Sequence, residues 1–197
     1  MLISHKIVNN NFRGFKDFVY NTDLSVNEQC FVDYLKDSTQ QYINRINGKK
    51  NFEETDKFTS VEELKNYDII DVYGDIYRDK KNKNEVFLKL RILPTPVARD
   101  IIKRNSLDEQ TKTMINKNPL ITEFVSQPIA IRSKSAYSDI IKHLEEKLAF
   151  FKKYISGTAK WRTTTKDLLK SSDKPKYQWD KNLIASMIYV KNSETNN

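Results

Sequence analysis

Few residues of this 197-residue sequence have types and spacings that could do chemistry. There are two histidines, His5 and His143, and one cysteine, Cys30. A single cysteine excludes an internal disulfide and any zinc site built from several cysteines. The four glycines stand singly, and a phosphate-binding loop needs them clustered where phosphate meets the backbone. The sequence therefore predicts no nucleotide cofactor.

His143 is the better placed of the two histidines. It lies on the longest predicted helix, at helical spacing from Asp139 and Glu146. These three side chains could bind a metal or transfer protons, but a solvated polar helix face has the same pattern. Cys30 lies within an apolar stripe, which favours a small buried side chain over a reactive thiol. We therefore assign no catalytic or metal-binding residue.

Two carboxylates require a separate test. Asp71 and Asp75 project from one face of a predicted strand, with Lys89 on the neighbouring strand. Metal-dependent nucleases place paired acids and a lysine in this way, because the acids hold Mg²⁺ and the lysine stabilises developing charge. Glu85 and Lys89 are too far apart to supply the acid-x-lysine spacing that would make the pattern specific. Ion pairing across a hairpin explains the same residues, so a nuclease is the third hypothesis.

Basic and aromatic residues alternate in two clusters near the C-terminus, and three further lysines lie at the tip of a predicted hairpin. Cations contact phosphates and flat rings stack on bases, so this mixture is typical of single-strand binding. Tryptophan and tyrosine with a basic rim also anchor protein interfaces, and they can dock a tail onto its own core. The candidate contact residues are Lys80, Lys81, Lys83, Lys160, Trp161, Arg162, Lys176, Tyr177 and Trp179.

The charge distribution points to an anionic partner for the second half of the chain. Residues 1–90 carry 14 basic and 15 acidic side chains, whereas residues 91–197 carry 20 and 11. The formal net charge is +8. A cationic half is suited to nucleic acid or to an acidic protein surface, although a lysine- and asparagine-rich composition raises the charge without any ligand.

Helices are predicted from apolar periodicity and from capping residues. A helix over residues 25–47 starts at a Ser25–Glu28 capping box and ends at Gly48. Its predicted buried stripe contains Val26, Cys30, Phe31, Tyr34, Leu35, Ile43 and Ile46. Further capping boxes at Ser60 and Ser106 begin shorter helices, and the longest helix covers residues 136–156. A last amphipathic helix over 180–190 has Leu183, Ile184, Met187 and Ile188 on one side.

The clearest strand signal is a pair of alternating segments within residues 69–92. Ile70, Val72, Gly74 and Ile76 share one face, and the charged connection after Arg78 predicts an exposed hairpin tip. Gly74 indicates a bulge. Residues 120–125 and 128–132 are predicted to be short extended segments.

These elements predict an α+β fold that is mainly helical, with one prominent antiparallel β-hairpin and extended terminal arms. The predicted divisions are an aromatic N-terminal arm over 1–24, a core over 25–157 and a basic C-terminal extension over 158–197. No secretory signal and no membrane-spanning segment is expected, which leaves the cytoplasm or a virus particle.

By elimination, the first functional hypothesis is a non-catalytic structural or assembly protein, such as a bacteriophage head–tail connector or tail-ring subunit. Its partners would be other subunits, as a homo-oligomer or in a larger assembly. The alternative is a nucleic-acid-binding protein for replication or regulation that uses the basic C-terminal half.

Overall fold

The computed structural model describes residues 14–53, 55–79 and 84–161. Along the chain, the helices and strands are β1 (Phe15–Tyr20), α1 (Val26–Ile46), β2 (Ile70–Arg78), β3 (Val86–Pro94), α2 (Pro96–Arg104), α3 (Glu109–Lys117), β4 (Phe124–Val125), β5 (Ile129–Ala130) and α4 (Ala136–Ile155). Short 3-10 helices cover Glu62–Leu64 and Pro119–Thr122.

The centre of the fold is the predicted hairpin of β2 and β3. The two strands pair antiparallel without interruption from Ile70 opposite Pro94 to Arg78 opposite Val86. Their apolar alternation buries one face completely and leaves the other half-buried. The hairpin and its two faces are therefore confirmed.

The predicted mainly helical architecture is wrong, because within residues 14–53, 55–79 and 84–161 the strands form a five-stranded mixed sheet alongside four α-helices. β1 pairs parallel with β2, while β4 and β5 both pair antiparallel with β3. Six residues at β1 are too few for periodicity to reveal a strand. β4 and β5 lie within the extended segments predicted over 120–125 and 128–132, although Pro119–Thr122 forms a 3-10 helix. Residues 15–20, which the sequence assigned to an extended arm, thus form an edge strand with Phe15 and Phe18 buried.

Gly74 has a different role from the predicted bulge. The β2–β3 register passes through it without a shift. A Cβ atom at this position would lie 2.3 Å from Cδ1 of Phe18, whose ring comes from the paired strand β1. Gly74 therefore makes room for an aromatic side chain that anchors the edge strand.

α1 starts at the predicted capping box, but it buries a different face from the predicted one. Leu35 and Ile43 are buried as expected, together with Glu28, Val32, Thr39 and Tyr42. Val26, Phe31 and Tyr34 are 81%, 44% and 61% exposed, and Cys30 is exposed. The helix carries two apolar stripes, and tertiary packing selects the one that contains the polar residues Glu28 and Thr39.

The observed ends of the helices agree with the predicted ends for α4 and differ from them for α3 and α1. α4 matches its prediction, and Gly157 after it has a φ of +72°, the left-handed conformation of a helix C-terminus. α3 is capped by Asp108, not by Ser106, because the Asp108 carboxylate accepts from the backbone N–H of Thr111. α1 ends at Asn47 in extended backbone, and Gly48 packs against the backbone of Asn66.

Candidate functional site

Most of the sequence-predicted contact residues lie outside the described residues. These are Lys80, Lys81, Lys83, Arg162, Lys176, Tyr177 and Trp179. Lys160 is exposed. Trp161 is 8% exposed and belongs to the hydrophobic core.

Trp161 packs within a group of aromatic rings at the C-terminal end of α4. Its ring centroid lies 5.1 Å from that of Tyr154, 5.6 Å from Phe150 and 6.3 Å from Phe124, all in edge contacts. Its backbone carbonyl accepts from the N–H of Leu107 at 3.3 Å. Residue 161 thus docks onto the core of its own chain, one of the interpretations that the sequence left open.

The paired carboxylates on the half-buried face of the hairpin are engaged in ion pairs. Asp71 lies 2.9 Å from the Lys16 ammonium, and Asp75 lies 2.9 Å from Nε of Arg91. Arg91 also pairs with Glu123 at 3.4 Å. Across the described ranges, no group of three or more His, Cys, Asp or Glu side chains could hold a metal ion.

His143 is half-buried on α4, in a shallow cavity of about 260 Å³ that Ser126, Asp139 and Glu146 also line. Burial lowers the pKa of His143, and the neighbouring Lys147 lowers it further. The imidazole is therefore neutral at pH 7. Cys30, predicted to be buried, is instead exposed on α1, so that prediction was wrong.

A larger groove of about 860 Å³ brings together cationic side chains that the sequence analysis did not single out. It lies where the end of α1, the segment around the 3-10 helix Glu62–Leu64 and the C-terminal half of α4 meet. Among the described residues that line it, the cations are Arg45, Lys49, Lys50, Lys65 and Lys152, and the carboxylate is Glu145. Apolar side chains form part of the wall: Ile46, Val61, Leu148 and Ala149. We call this the cationic groove.

Two of the groove cations are held by aromatic rings. The guanidinium of Arg45 lies 4.8 Å from the centre of the Tyr42 ring. The Lys50 ammonium donates a 2.6 Å hydrogen bond to the Tyr67 hydroxyl and lies 4.6 Å from its ring centre. A cation over an aromatic face is held in place without its charge being neutralised. Both charges therefore remain available to an anion in the groove.

Lys65 and Lys152 bring like charges close together across the groove. Burial lowers the pKa of Lys152, and the nearby Lys65 lowers it further. Among the described residues, no carboxylate forms an ion pair with Lys152. A partly desolvated cation beside a second cation is costly until an anion arrives.

Glu145, the carboxylate among the described lining residues, itself accepts a hydrogen bond. It accepts a short hydrogen bond from the hydroxyl of Tyr42, which is buried. Burial, with this bond to Glu145, raises the pKa of Tyr42 to about 12. The hydroxyl thus stays protonated and holds Glu145 against α1.

The sequence held part of the signal for this groove. Arg45, Lys49 and Lys50 form a local cluster directly after the apolar stripe of α1. Lys65 and Lys152 are distant in sequence, so only the fold brings them to the cluster. Four of the five cations among the described lining residues come from residues 1–90, the half of the chain whose charges balance.

No family model matches this chain, and no curated protein or solved structure matches it. Among the described helices, none is long and apolar enough to cross a membrane.

Proposed function

We propose that this chain is a non-catalytic nucleic-acid-binding protein whose cationic groove holds the phosphate backbone of its ligand. The observation that supports the proposal is that, in the part of the chain that the structure describes, five cationic side chains and one carboxylate converge on a single groove. Contacts from lysine and arginine to phosphates supply most of the sequence-independent affinity for nucleic acid.

The apolar part of the groove favours a single strand over a duplex. Ile46, Val61, Leu148 and Ala149 offer a surface on which an unstacked base can lie beside the cations. The bases of a duplex are already stacked and paired, so they cannot use such a surface. We therefore expect single-stranded nucleic acid to bind more tightly than duplex of the same length.

The like charges of Lys65 and Lys152 support the binding of a phosphate in the cationic groove. The free protein keeps a partly buried ammonium beside another cation, which opposes folding. A phosphate between them would compensate both charges. Sites that bind or react are where such unfavourable arrangements are commonly retained.

Fluorescence anisotropy with a labelled single-stranded oligonucleotide tests the proposal. Affinity should fall as salt rises from about 50 to 200 mM, because each neutralised phosphate releases counterions. Lys65→Gln and Lys152→Gln should each weaken binding several-fold and reduce the salt slope by about 1. Lys117→Gln, an exposed lysine on α3 that does not line the groove, is the matched control.

Two results would overturn the proposal. Absence of binding to both single strand and duplex at low salt would remove nucleic acid as the ligand. Binding that the double variant Lys65→Gln/Lys152→Gln leaves unchanged in affinity and in salt slope would place the contact elsewhere on the chain.

The role of a structural subunit, such as a head–tail connector or tail ring in a virus particle, remains a second proposal. The observation that favours it is the exposed apolar side chains on α1, since large exposed hydrophobic patches mark interaction surfaces. A neighbouring subunit on this face would exclude any other occupant of it. Light-scattering mass at low and high salt tests it. A ring-sized oligomer that ignores the oligonucleotide would favour assembly, and a monomer that gains mass with the oligonucleotide would favour binding.

A further inference from the structure

The N-terminal half of α1 carries an apolar face on the side away from the core. Val26, Cys30, Phe31 and Tyr34 follow one another at helical spacing, and three of them are among the most exposed large hydrophobic residues described. We call these four residues the outer face of α1. Isolated exposed apolar residues are ordinary, but four on one helix face form a contact surface.

The charges beside the outer face are acidic. Asp33 and Asp37 flank it, and both are exposed. The nearest lysine on the helix, Lys36, is already paired with Asp17 at 2.7 Å. An occupant of this surface should therefore combine apolar side chains with positive charge.

The size and charge of the outer face disfavour a second copy of the same surface. Its four side chains offer roughly 400 Å², about half of what each partner contributes to a stable interface of standard size. A two-fold contact between identical faces would also place Asp33 and Asp37 near their own copies, and like charges at an interface weaken it. The surface is suited to a single amphipathic helix.

The C-terminal part of this chain has the required chemistry. Residues 162–191 contain seven basic and three acidic side chains. Residues 180–190 lie outside the described residues. Their sequence predicts a helix with Leu183, Ile184, Met187 and Ile188 on one side, with Lys181 near its start and Lys191 directly after its end. These apolar positions have the same i, i+4 spacing as the outer face of α1.

The chain is also long enough to make this contact. Residue 161 is fixed in the aromatic group at the end of α4. The residues between it and Asp180 could span roughly 60 Å when extended, which exceeds the diameter of about 40 Å expected for a domain of this size.

We infer that residues 180–190 of the same chain dock as an amphipathic helix on the outer face of α1. The apolar side chains of the two helices pack together, and the flanking lysines approach Asp33 and Asp37. The inference is independent of nucleic-acid binding, since no residue of the outer face of α1 lines the cationic groove.

Cys30 is the only cysteine of the sequence and lies within the outer face of α1. The reaction rate of its thiol therefore shows whether another segment covers this face. The rate of its reaction with a thiol reagent such as 5,5′-dithiobis(2-nitrobenzoate) should be at least about tenfold slower in the intact protein than in denaturant, because buried thiols are protected. Met187→Asp in the full-length chain should restore fast reaction. Ala185→Asp, on the opposite side of the predicted helix, should leave the slow rate unchanged.

A crosslink identifies the occupant. Met187→Cys in the full chain, treated with a short bismaleimide, should give an intramolecular link to Cys30 at monomer mass, whereas Ala185→Cys should not. A crosslinked dimer would overturn the intramolecular contact. A Cys30 thiol that reacts as fast in the intact protein as in denaturant would show that the outer face is uncovered. A slow rate that Met187→Asp leaves unchanged would show that other residues cover it. Either result would also overturn the inference.

Discussion

Arg78, the last residue of β2, forms a two-point ion pair with Glu28 in the first turn of α1. Nη1 and Nη2 of Arg78 lie 3.1 Å and 2.9 Å from the two carboxylate oxygens. The same carboxylate accepts from the backbone N–H of Ser25 at 2.8 Å, which completes the capping box. One buried acid therefore caps a helix and joins it to the sheet.

This arrangement predicts a specific loss of stability in acid. The hydrogen bonds from Arg78 and then from Ser25 lower the pKa of Glu28 from 4.5 to about 2. Because the folded-state pKa is depressed, the stabilisation is fully present above pH 4.5 and is lost as the pH falls towards 2. Glu28→Gln should reduce the free energy of unfolding at pH 7 by about 2 kcal/mol. Urea unfolding of parent and variant from pH 7 to pH 2 measures the difference, which should shrink below pH 4.5.

Glu62→Gln is the matched control, since Glu62 is exposed. It should change the urea midpoint little at any pH. A Glu28→Gln variant with the parent's stability at pH 7, or with a deficit that persists unchanged at pH 2, would contradict the role assigned to the ion pair.

The contact between Gly74 and Phe18 gives a second prediction. Gly74→Ala would place a methyl group 2.3 Å from Cδ1 and 2.5 Å from Cε1 of the Phe18 ring. Overpacking of this kind costs about 2 kcal/mol, so the Tm should fall by roughly 5 °C. Calorimetry checks the shift. Phe18→Leu replaces the ring by a smaller side chain, so the double variant should lose less stability than the sum of the two single variants. Strict additivity would contradict the contact.

Several parts of the fold could be predicted from the sequence because local pattern alone determines them. The alternation in residues 70–76 assigns the faces of β2, and the apolar stripe of α4 needs no distant partner. β1 forms a strand because β2 pairs with it, and six residues do not show this in advance. For α1 the sequence offers two apolar stripes, and contacts with β1 and α4 decide between them.

The cationic groove could be predicted only in part, because some of its residues are distant in the sequence. Its members at 45–50 are neighbours, but Lys65 and Lys152 join them only through packing of the end of α1 against α4. The sequence analysis selected Trp161 because it is an aromatic residue in a basic segment. Residue types alone cannot distinguish a ring that stacks on a ligand from one that packs on the core of its own chain.

We expect the charge of Lys152 to destabilise the free protein and to strengthen its binding to an oligonucleotide. Lys152→Met should raise the Tm of the free protein by about 2 °C at pH 7, because it removes a partly desolvated charge beside Lys65. It should also weaken oligonucleotide binding several-fold. Since the folded-state pKa of Lys152 lies below 10.5, the destabilisation by its charge is present at neutral pH and disappears as the pH rises towards 10.5. The gain in Tm should therefore be smaller at pH 10.

Lys153→Met is the control for that experiment, because Lys153 is exposed and does not line the groove. It should affect neither Tm nor affinity by much. A Lys152→Met variant that binds the oligonucleotide as tightly as the parent would show that Lys152 does not contact the ligand. A variant with a lowered Tm would contradict the destabilisation assigned to the Lys152 charge.

Trp161 gives a prediction that separates stacking from packing. Its ring lies against Phe124, Phe150 and Tyr154 and is almost completely buried. Trp161→Ala should therefore lower the free energy of unfolding by about 3 kcal/mol and the Tm by roughly 10 °C, as deletion of a large core side chain does. Trp161→Phe keeps an aromatic ring in the group and should lose less than half as much.

The binding measurement on Trp161→Leu, which removes the aromatic ring, decides between the two interpretations of this residue. If the ring only packs, the folded variant, assayed well below its Tm, should bind the single-stranded oligonucleotide within about twofold of the parent, since no base reaches residue 161. A ring that stacks on a base contributes about 1–3 kcal/mol, so its loss would weaken binding by about fivefold to 150-fold. A loss of that size in the folded variant would show that Trp161 contacts the ligand.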